Sequence, residues 1–150
     1  RVASPVRLDE GPDLAGARAL VVEDGPTLTH GGMPYGAGAV AARAAGASIV
    51  DPRPGAVGSI RRTYDTFGHI GPVLPAMGYS PDQVADLEAT IAAADCDVVI
   101  SASPFDLARL VAVTRPVRRA RYELAEVDEP SLRTVLEPHI RRWAEAAADR

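Results

Sequence analysis

The sequence predicts an α/β fold: a three-layer, mostly parallel Rossmann-like sheet with helices on both faces. Short apolar runs alternate along the chain with segments of helical periodicity, a pattern typical of βαβ units. Residues 19–22 and 98–100 are apolar without alternation, which indicates strands buried on both faces. The length of 150 residues suits one α/β domain, residues 1–150, in which residues 1–17 form a polar leading segment with at most one short strand.

Each predicted element has a local signal. The predicted strands cover residues 19–22, 48–50, 73–74, 97–102 and 117–127, and the last alternates enough to be placed at a sheet edge. Residues 27–34 are predicted to form a polar, glycine-rich loop. The predicted helices cover residues 35–45, 59–67, 104–113 and 131–148, and one more begins after Ser80. Ser80 and Gln83 have the spacing of a capping box, and Gly46 is typical of a helix end.

The last predicted helix, residues 131–148, is amphipathic. Pro138 lies inside it and predicts a kink. Its apolar side chains recur at helical spacing and are expected to face inward: Leu132, Val135, Leu136, Ile140 and Trp143.

The composition excludes several classes of protein. All 16 basic residues are arginine, so the chain supplies no Walker A lysine. The formal net charge of −4 argues against a nucleic-acid partner. No run approaches the ~20 apolar residues of a membrane helix, so no membrane association is expected. Cys96 is the single cysteine and forms no internal disulfide, which fits a reducing, cytoplasmic location.

Polar and glycine residues follow the first four predicted strands. Ligands of open parallel sheets bind beyond the carboxyl ends of the strands, so these four loops are expected to meet at one edge. The first loop combines glycines, hydroxyls and a histidine before a helix N-terminus, which suits a phosphate or carboxylate. The predicted phosphate- or substrate-binding residues are Gly25, Thr27, Thr29, His30, Gly31, Gly32, Arg53, Gly58, Ser59 and Ser103. Glu23 and Asp24 are predicted to hold Mg²⁺ beside a phosphate, and no catalytic residue is assigned.

These residues also have plain structural interpretations. The first loop fits a tight turn that carries a surface histidine. Arg53 fits a surface salt bridge and Ser59 fits a helix N-cap, and Ser103 has the same alternative before the next helix. Residues 36–41 match the G-x-G-x-x-A pattern of dinucleotide sites, but a whole loop separates them from the preceding strand. Close packing of an alanine-rich helix explains that pattern better.

Residues 21–33, VVEDGPTLTHGGM, resemble the C-terminal region of the predicted P-loop GTPases related to cyclic 2,3-diphosphoglycerate synthetase. Residues 103–107 read Ser-Pro-Phe-Asp-Leu where those relatives tend to carry Thr-Pro-Ile-Asp-Leu. The similarity spans residues 4 to 136, and its further segments lie at residues 35–38, 49–54, 56–60, 69–71, 73–79 and 121–124.

The resemblance implies that this chain is the C-terminal part of a longer multidomain P-loop NTPase. An N-terminal P-loop domain, in cis or in trans, would bind ATP or GTP. The synthetase of that family uses ATP to close 2,3-diphosphoglycerate into a cyclic phosphoanhydride. This chain would bind a phosphorylated small acid or complete a phosphoryl-transfer site in a nucleotide-dependent ligase, and would be inactive alone.

Two other functions are left open by the sequence. The chain fits a non-catalytic regulatory or assembly domain that packs on the nucleotide domain, because its last helix is amphipathic. It also fits a free-standing Rossmann-like binding protein. Homo-oligomerisation is left open as well.

Overall fold

The computed structural model describes residues 1–78 and 80–148. The chain forms two compact units, of which the larger is Val6–Arg121 and the smaller combines Arg1–Pro5 with the chain from Tyr122 onward. The strands are β1 (Val2–Ala3), β2 (Val6–Leu8), β3 (Arg18–Asp24), β4 (Ser48–Ile49), β5 (Leu74–Ala76), β6 (Val98–Ala102), β7 (Val117–Tyr122) and β8 (Ala125–Glu126). The helices are α1 (Gly25–Thr29), α2 (Ala37–Ala44), α3 (Gly58–Thr66), α4 (Pro81–Ala93), α5 (Leu107–Leu110) and α6 (Leu132–Ala148).

The larger unit is built on one sheet with the strand order β2-β7-β6-β3-β4, in which β5 also pairs with β3. The pairs β3–β4, β3–β5, β3–β6 and β6–β7 are all parallel. One face of the sheet packs against alanines of α2, and the other packs against Ile60 of α3 and Leu87 of α4. The predicted three-layer α/β fold with a mostly parallel sheet is therefore confirmed.

The strands of this sheet do not all end at the same level. Asp24 pairs with Ala76 of β5 and Glu23 with Ala102 of β6, so β3, β5 and β6 end together. Ile49, the last residue of β4, pairs with Ala19, five residues before β3 ends at Asp24. At about 3.3 Å per residue, β4 stops roughly 16 Å short of the edge that the other three strands reach.

Two local predictions in the larger unit are corrected by the structure. The loop predicted at residues 27–34 is partly helical, because α1 begins at Gly25 immediately after β3. The helix predicted over residues 104–113 is only the four-residue α5, Leu107–Leu110. The Ser103 hydroxyl accepts a hydrogen bond from Phe105 N, and such a local turn competes with the first turn of a helix.

The predicted edge position of the last strand is also wrong. β7 is the second strand of the sheet, because β2 pairs with its outer side. The leading segment, residues 1–17, thus contains two short strands, β1 and β2, and not at most one. Two of the arginines of β7 bind the segment before β3, since Arg118 Nε donates to Asp9 O and Arg121 forms a salt bridge with the Asp9 carboxylate, whereas Arg119 donates to Pro104 O. The partners in the leading segment are distant in sequence, so the pattern of β7 alone does not reveal that this strand is interior to the sheet.

The smaller unit pairs β1 with β8 antiparallel and contains α6. Pro138 lies inside this helix. The apolar side chains predicted to face inward are exposed, from 39% for Leu136 to 67% for Trp143. Helical periodicity identifies an apolar face but does not say what covers it. No helix in the described part of the chain has both the length and the apolar character needed to cross a bilayer.

Candidate functional site

The candidate site is the carboxyl edge of the sheet, which we define as residues 24–32, 76–78 and 102–104. The loops that follow β3, β5 and β6 meet here because these strands end in register. Gly25 is buried at this edge, and a Cβ on it would lie 2.7 Å from Ala76 O and 2.9 Å from Met77 Sδ. Only glycine permits this approach of the β3 loop to the β5 loop. The register of β3 against β6 brings a third of the four predicted loops to the same edge.

Asp24 caps α1 at the carboxyl edge. Its Oδ2 accepts hydrogen bonds from Thr27 N at 3.1 Å and from Thr27 Oγ1 at 2.7 Å. Pro26 occupies the first turn, where its missing N–H costs nothing. The Asp-Gly-Pro-Thr sequence is therefore a helix start, and both Asp24 and Thr27 have structural partners within it.

Glu23 is buried at the inner side of this edge and caps α2. Its Oε1 accepts from Gly36 N at 3.0 Å and Ala39 N at 2.9 Å, and its Oε2 accepts from Gly38 N at 3.3 Å. Burial raises the pKa of Glu23, and the three N–H groups oppose part of that rise. The helix N-terminus that the sequence offers to an anion is thus filled by a carboxylate of this chain.

Gly36 and Gly38 leave room for the Glu23 cap and for close packing of α2 against the sheet. A Cβ on Gly36 would lie 2.6 Å from Glu23 Oε2. A Cβ on Gly38 would lie 2.8 Å from Val21 Cγ1 and 3.0 Å from Ala102 Cβ. The G-x-G-x-x-A pattern therefore serves helix–sheet packing, as the sequence analysis favours, and gives no support to a dinucleotide site.

The predicted residues after β4 lie away from the carboxyl edge. Arg53 donates to both carboxylate oxygens of Asp51, at 2.6 to 3.0 Å, and holds the pKa of that carboxyl below its usual range. A Cβ on the neighbouring Gly55 would lie 3.0 Å from Ala93 Cβ, at the end of α4 farthest from the carboxyl edge. The salt-bridge interpretation of Arg53 matches this geometry.

Gly58 and Ser59 are likewise engaged with another helix. Ser59 donates to Asp86 Oδ2 from its backbone N at 2.7 Å and from Oγ at 2.8 Å. Asp86 of α4 thus caps α3, and these bonds hold its pKa below the usual range. Gly58 has a positive φ of 46°, and any Cβ there would overlap the Asp86 carboxylate. Asp86 is not predictable from the sequence, because a cap supplied by a different helix has no local spacing signal.

The end of α1 carries the histidine of the predicted site. Thr29 is buried, and its Oγ1 donates to Gly25 O at 2.9 Å and lies 3.0 Å from His30 Nδ1. His30 itself is exposed to solvent. Gly32 then turns the chain with a φ of 65°, and a Cβ on Gly31 would lie 2.5 Å from Thr27 O. His30 is therefore held at the carboxyl edge by the buried hydroxyl of its neighbour.

Two further residues, outside the predicted set, lie next to this edge. His69 Nε2 is 2.8 Å from Leu28 O, so the loop after α3 reaches α1. Ser101 Oγ is buried and has no hydrogen-bond partner among the described residues. Ser103, two residues later, is also buried, and its hydroxyl accepts the hydrogen bond from Phe105 N. A histidine in a glycine-containing loop and a serine inside an apolar strand are weak signals in one sequence.

The residues present do not form a ready magnesium site. Glu23 and Asp24 direct their oxygens to backbone N–H groups as helix caps. No group of three or more potential metal ligands occurs within residues 1–78 and 80–148. Mg²⁺ coordination by Glu23 and Asp24 therefore stays a prediction without a preformed ligand set.

Comparison with known proteins gives one informative relative. The chain is 53% identical over 143 residues to the protein named arginine synthetase ArcE of Thermococcus kodakarensis. The match covers 95% of this chain but 31% of that protein, so the chain spans about a third of the relative's length. No protein-family profile and no solved structure matches the chain. The similarity is to part of a protein named a synthetase, and it leaves the P-loop GTPase and cyclic 2,3-diphosphoglycerate branch of the prediction untested.

Proposed function

We propose that this chain is one domain of a larger nucleotide-dependent synthetase, in which the carboxyl edge takes part in binding a small acid. The observation that carries this proposal is the 53% identity to part of an arginine synthetase along 95% of the chain. The convergence of the β3, β5 and β6 loops supplies a place for the ligand.

The nucleotide and its Mg²⁺ are proposed to bind mainly outside this chain. The chain has no lysine, so a Walker A lysine must come from a P-loop domain in cis or in trans. The starts of α2 and α3 already hold the carboxylates of Glu23 and Asp86, which repel phosphate. The role of this domain is then to present the acid to a nucleotide held elsewhere, and not to hydrolyse nucleotide alone.

The substrate class is a small carboxylic acid. The relative is named for arginine, an amino acid, whereas the family resemblance suggests a phosphorylated acid. Both carry a carboxylate, and the two are distinguished by titration. We expect arginine to bind in preference to 2,3-diphosphoglycerate, because Glu23 and Asp24 occupy the helix starts at the carboxyl edge that would hold a phosphate.

The proposal is tested by comparing this chain with the full-length gene product. We expect the isolated chain to hydrolyse neither ATP nor GTP, and the full-length protein to turn over nucleotide when a small acid is added. The variant Thr27→Val removes the hydroxyl that bonds Asp24 and loosens the start of α1, so it should raise the KM for the acid and leave the KM for nucleotide unchanged. Thr66→Val is the matched control, since that hydroxyl is exposed on α3 and bonds Arg62 O. Nucleotide hydrolysis by the isolated chain, or equal KM values in both variants, would contradict the proposal.

A second candidate function, assembly, is favoured by the apolar face of α6. Five large apolar side chains are exposed there, including the single tryptophan, Trp143. The proposed occupant is the nucleotide-binding remainder of the synthetase, since the relative is about three times as long as the part that matches this chain. The fluorescence of Trp143 should shift to shorter wavelength when that remainder, expressed separately and lacking tryptophan, is added. An unchanged spectrum at saturating concentration would exclude this role, and Ile140→Asp should abolish a real shift.

A further inference from the structure

The hydrogen bonds at the end of α1 select the tautomer of a neutral His30 ring. The Thr29 hydroxyl has one proton, and a carbonyl oxygen can only accept. Because Thr29 Oγ1 bonds Gly25 O at 2.9 Å, its proton is committed to that carbonyl. The 3.0 Å contact between Thr29 Oγ1 and His30 Nδ1 is then a hydrogen bond only if Nδ1 carries the proton.

A neutral His30 with its proton on Nδ1 has a lone pair on Nε2. No hydrogen bond reaches Nε2 from any of residues 1–78 or 80–148, and the residue is exposed at the carboxyl edge. Gly25 O, Thr29 Oγ1 and His30 Nδ1 are linked by two hydrogen bonds. This is the arrangement in which a neighbouring group orients a catalytic base. The buried hydroxyl both fixes the ring and selects which nitrogen is basic.

His69 provides an internal contrast on the other side of α1. Its Nε2 lies 2.8 Å from Leu28 O, so Nε2 is the protonated nitrogen of this ring. Phe67 packs edge-on against it, with ring centroids 6.2 Å apart. The two histidines that flank α1 therefore have opposite tautomers, and only His30 presents Nε2 as an acceptor.

We propose that His30 Nε2 is the proton-accepting group of the carboxyl edge and that Thr29 is its positioning residue. This inference rests on the proposed synthetase function. The proposed reaction joins an amine to the small acid after the nucleotide has transferred a phosphoryl group to an oxygen of that acid. When the amine attacks the activated carbon, the N–C bond forms and the C–O bond to phosphate breaks, with its electron pair going to the phosphate oxygen. The proton released by the amine passes to Nε2, and the resulting imidazolium returns it to solvent.

The tautomers are tested by long-range proton–nitrogen NMR of this chain with uniform nitrogen-15 labelling at a pH where histidine is neutral. We expect a proton on Nδ1 of His30 and on Nε2 of His69. Thr29→Val should move His30 to the Nε2–H form, and Thr29→Ser should restore Nδ1–H. Thr63→Val is the matched control: Thr63 is 8% exposed like Thr29 and bonds Ser59 O at the same 2.9 Å, but has no histidine beside it. An Nε2–H tautomer of His30 in the unmodified chain overturns the inference.

The role in the reaction is tested in the full-length enzyme. Loss of a general base lowers rates by roughly 10²- to 10⁴-fold, so His30→Gln should reduce kcat at least a hundredfold with little change in KM. Thr29→Val should give a smaller loss that Thr29→Ser restores, whereas Thr63→Val should retain activity. Full kcat in His30→Gln overturns the inference and leaves the proposed function standing. Absence of any acid-dependent turnover overturns the proposed function, while the tautomers of His30 and His69 are still read independently by NMR.

Discussion

Glu23 offers the sharpest test of how the carboxyl edge is held together. Its Oε1 accepts the two short hydrogen bonds, from Gly36 N and Ala39 N, and its Oε2 accepts only the longer one from Gly38 N. In Glu23→Gln the amide oxygen can occupy the Oε1 position and keep both short bonds. In Glu23→Ala the N–H groups of α2 lose their acceptor inside the protein.

The magnitudes follow from these contacts. An unsatisfied buried donor costs about 1–3 kcal/mol, so losing two short bonds costs about 2–6 kcal/mol. Relief from burying the carboxylate returns part of this, and we expect Glu23→Ala to lose about 3 kcal/mol of unfolding free energy. That corresponds to a fall in Tm of roughly 6–12 °C for a chain of this size. We expect Glu23→Gln to lose only about 1 kcal/mol, because its amide NH2 cannot accept the long bond from Gly38 N, whereas both short bonds remain.

The stability difference between Glu23→Gln and the parent should also depend on pH. Because the pKa of Glu23 is raised above its ordinary value of 4.5, the folded state holds a proton that the unfolded state has already released. The contribution of Glu23 to stability therefore falls as pH rises from 4.5 through the raised pKa. Glu23→Gln lacks this change, so its stability relative to the parent should improve across that window.

The assay is urea denaturation followed by far-ultraviolet circular dichroism at several pH values. The matched control is Glu88→Ala, which removes one exposed bond, from Ala112 N at 2.9 Å, and should cost little. If Glu23→Gln lost as much stability as Glu23→Ala, the charge would matter more than the hydrogen bonds and the reasoning would fail. It would also fail if Glu23→Ala were as stable as the parent.

Two further predictions concern packing in the larger unit. Gly38→Ala should lose about 1 kcal/mol, because overpacking against Val21 and Ala102 costs about 1–3 kcal/mol and the gain in helix propensity returns about 1. The control Gly68→Ala has nothing within 4 Å of the added Cβ and should melt with the parent; equal losses in both variants would refute the packing argument. Cys96 is 5% exposed and burial raises its pKa, so a thiol reagent should modify it only as the chain unfolds in urea. Rapid modification in native buffer would contradict that burial.

Much of the fold is predictable from local pattern because it is locally encoded. The continuous apolar runs give β3 and β6, and Ser80 caps α4 through Gln83 N as its spacing predicts. Gly46 ends α2 with a φ of 78°, which few other residues adopt. In each of these cases the decisive contacts lie within a few residues along the chain.

The candidate site is only partly predictable because it depends on contacts distant in sequence. Arg53 lies away from the carboxyl edge because Ile49 of β4 pairs with Ala19, well before the end of β3. A single sequence does not give this strand register. Ser59 is drawn to Asp86, 27 residues away. The apolar face of α6 illustrates the same limit, since periodicity finds the face and its partner lies elsewhere.

The acidic caps of α2 and α3 have a consequence for how this scaffold could acquire new ligands. In folds of this kind the helix N-termini often bind phosphates, whereas here the carboxylates of Glu23 and Asp86 occupy those positions. An anion can bind at either helix start only after the acidic residue there has been replaced, and adding a basic residue alone is not enough. Asp86→Gly would vacate one such cradle at Ser59 and leave it open to chloride or sulfate from solution.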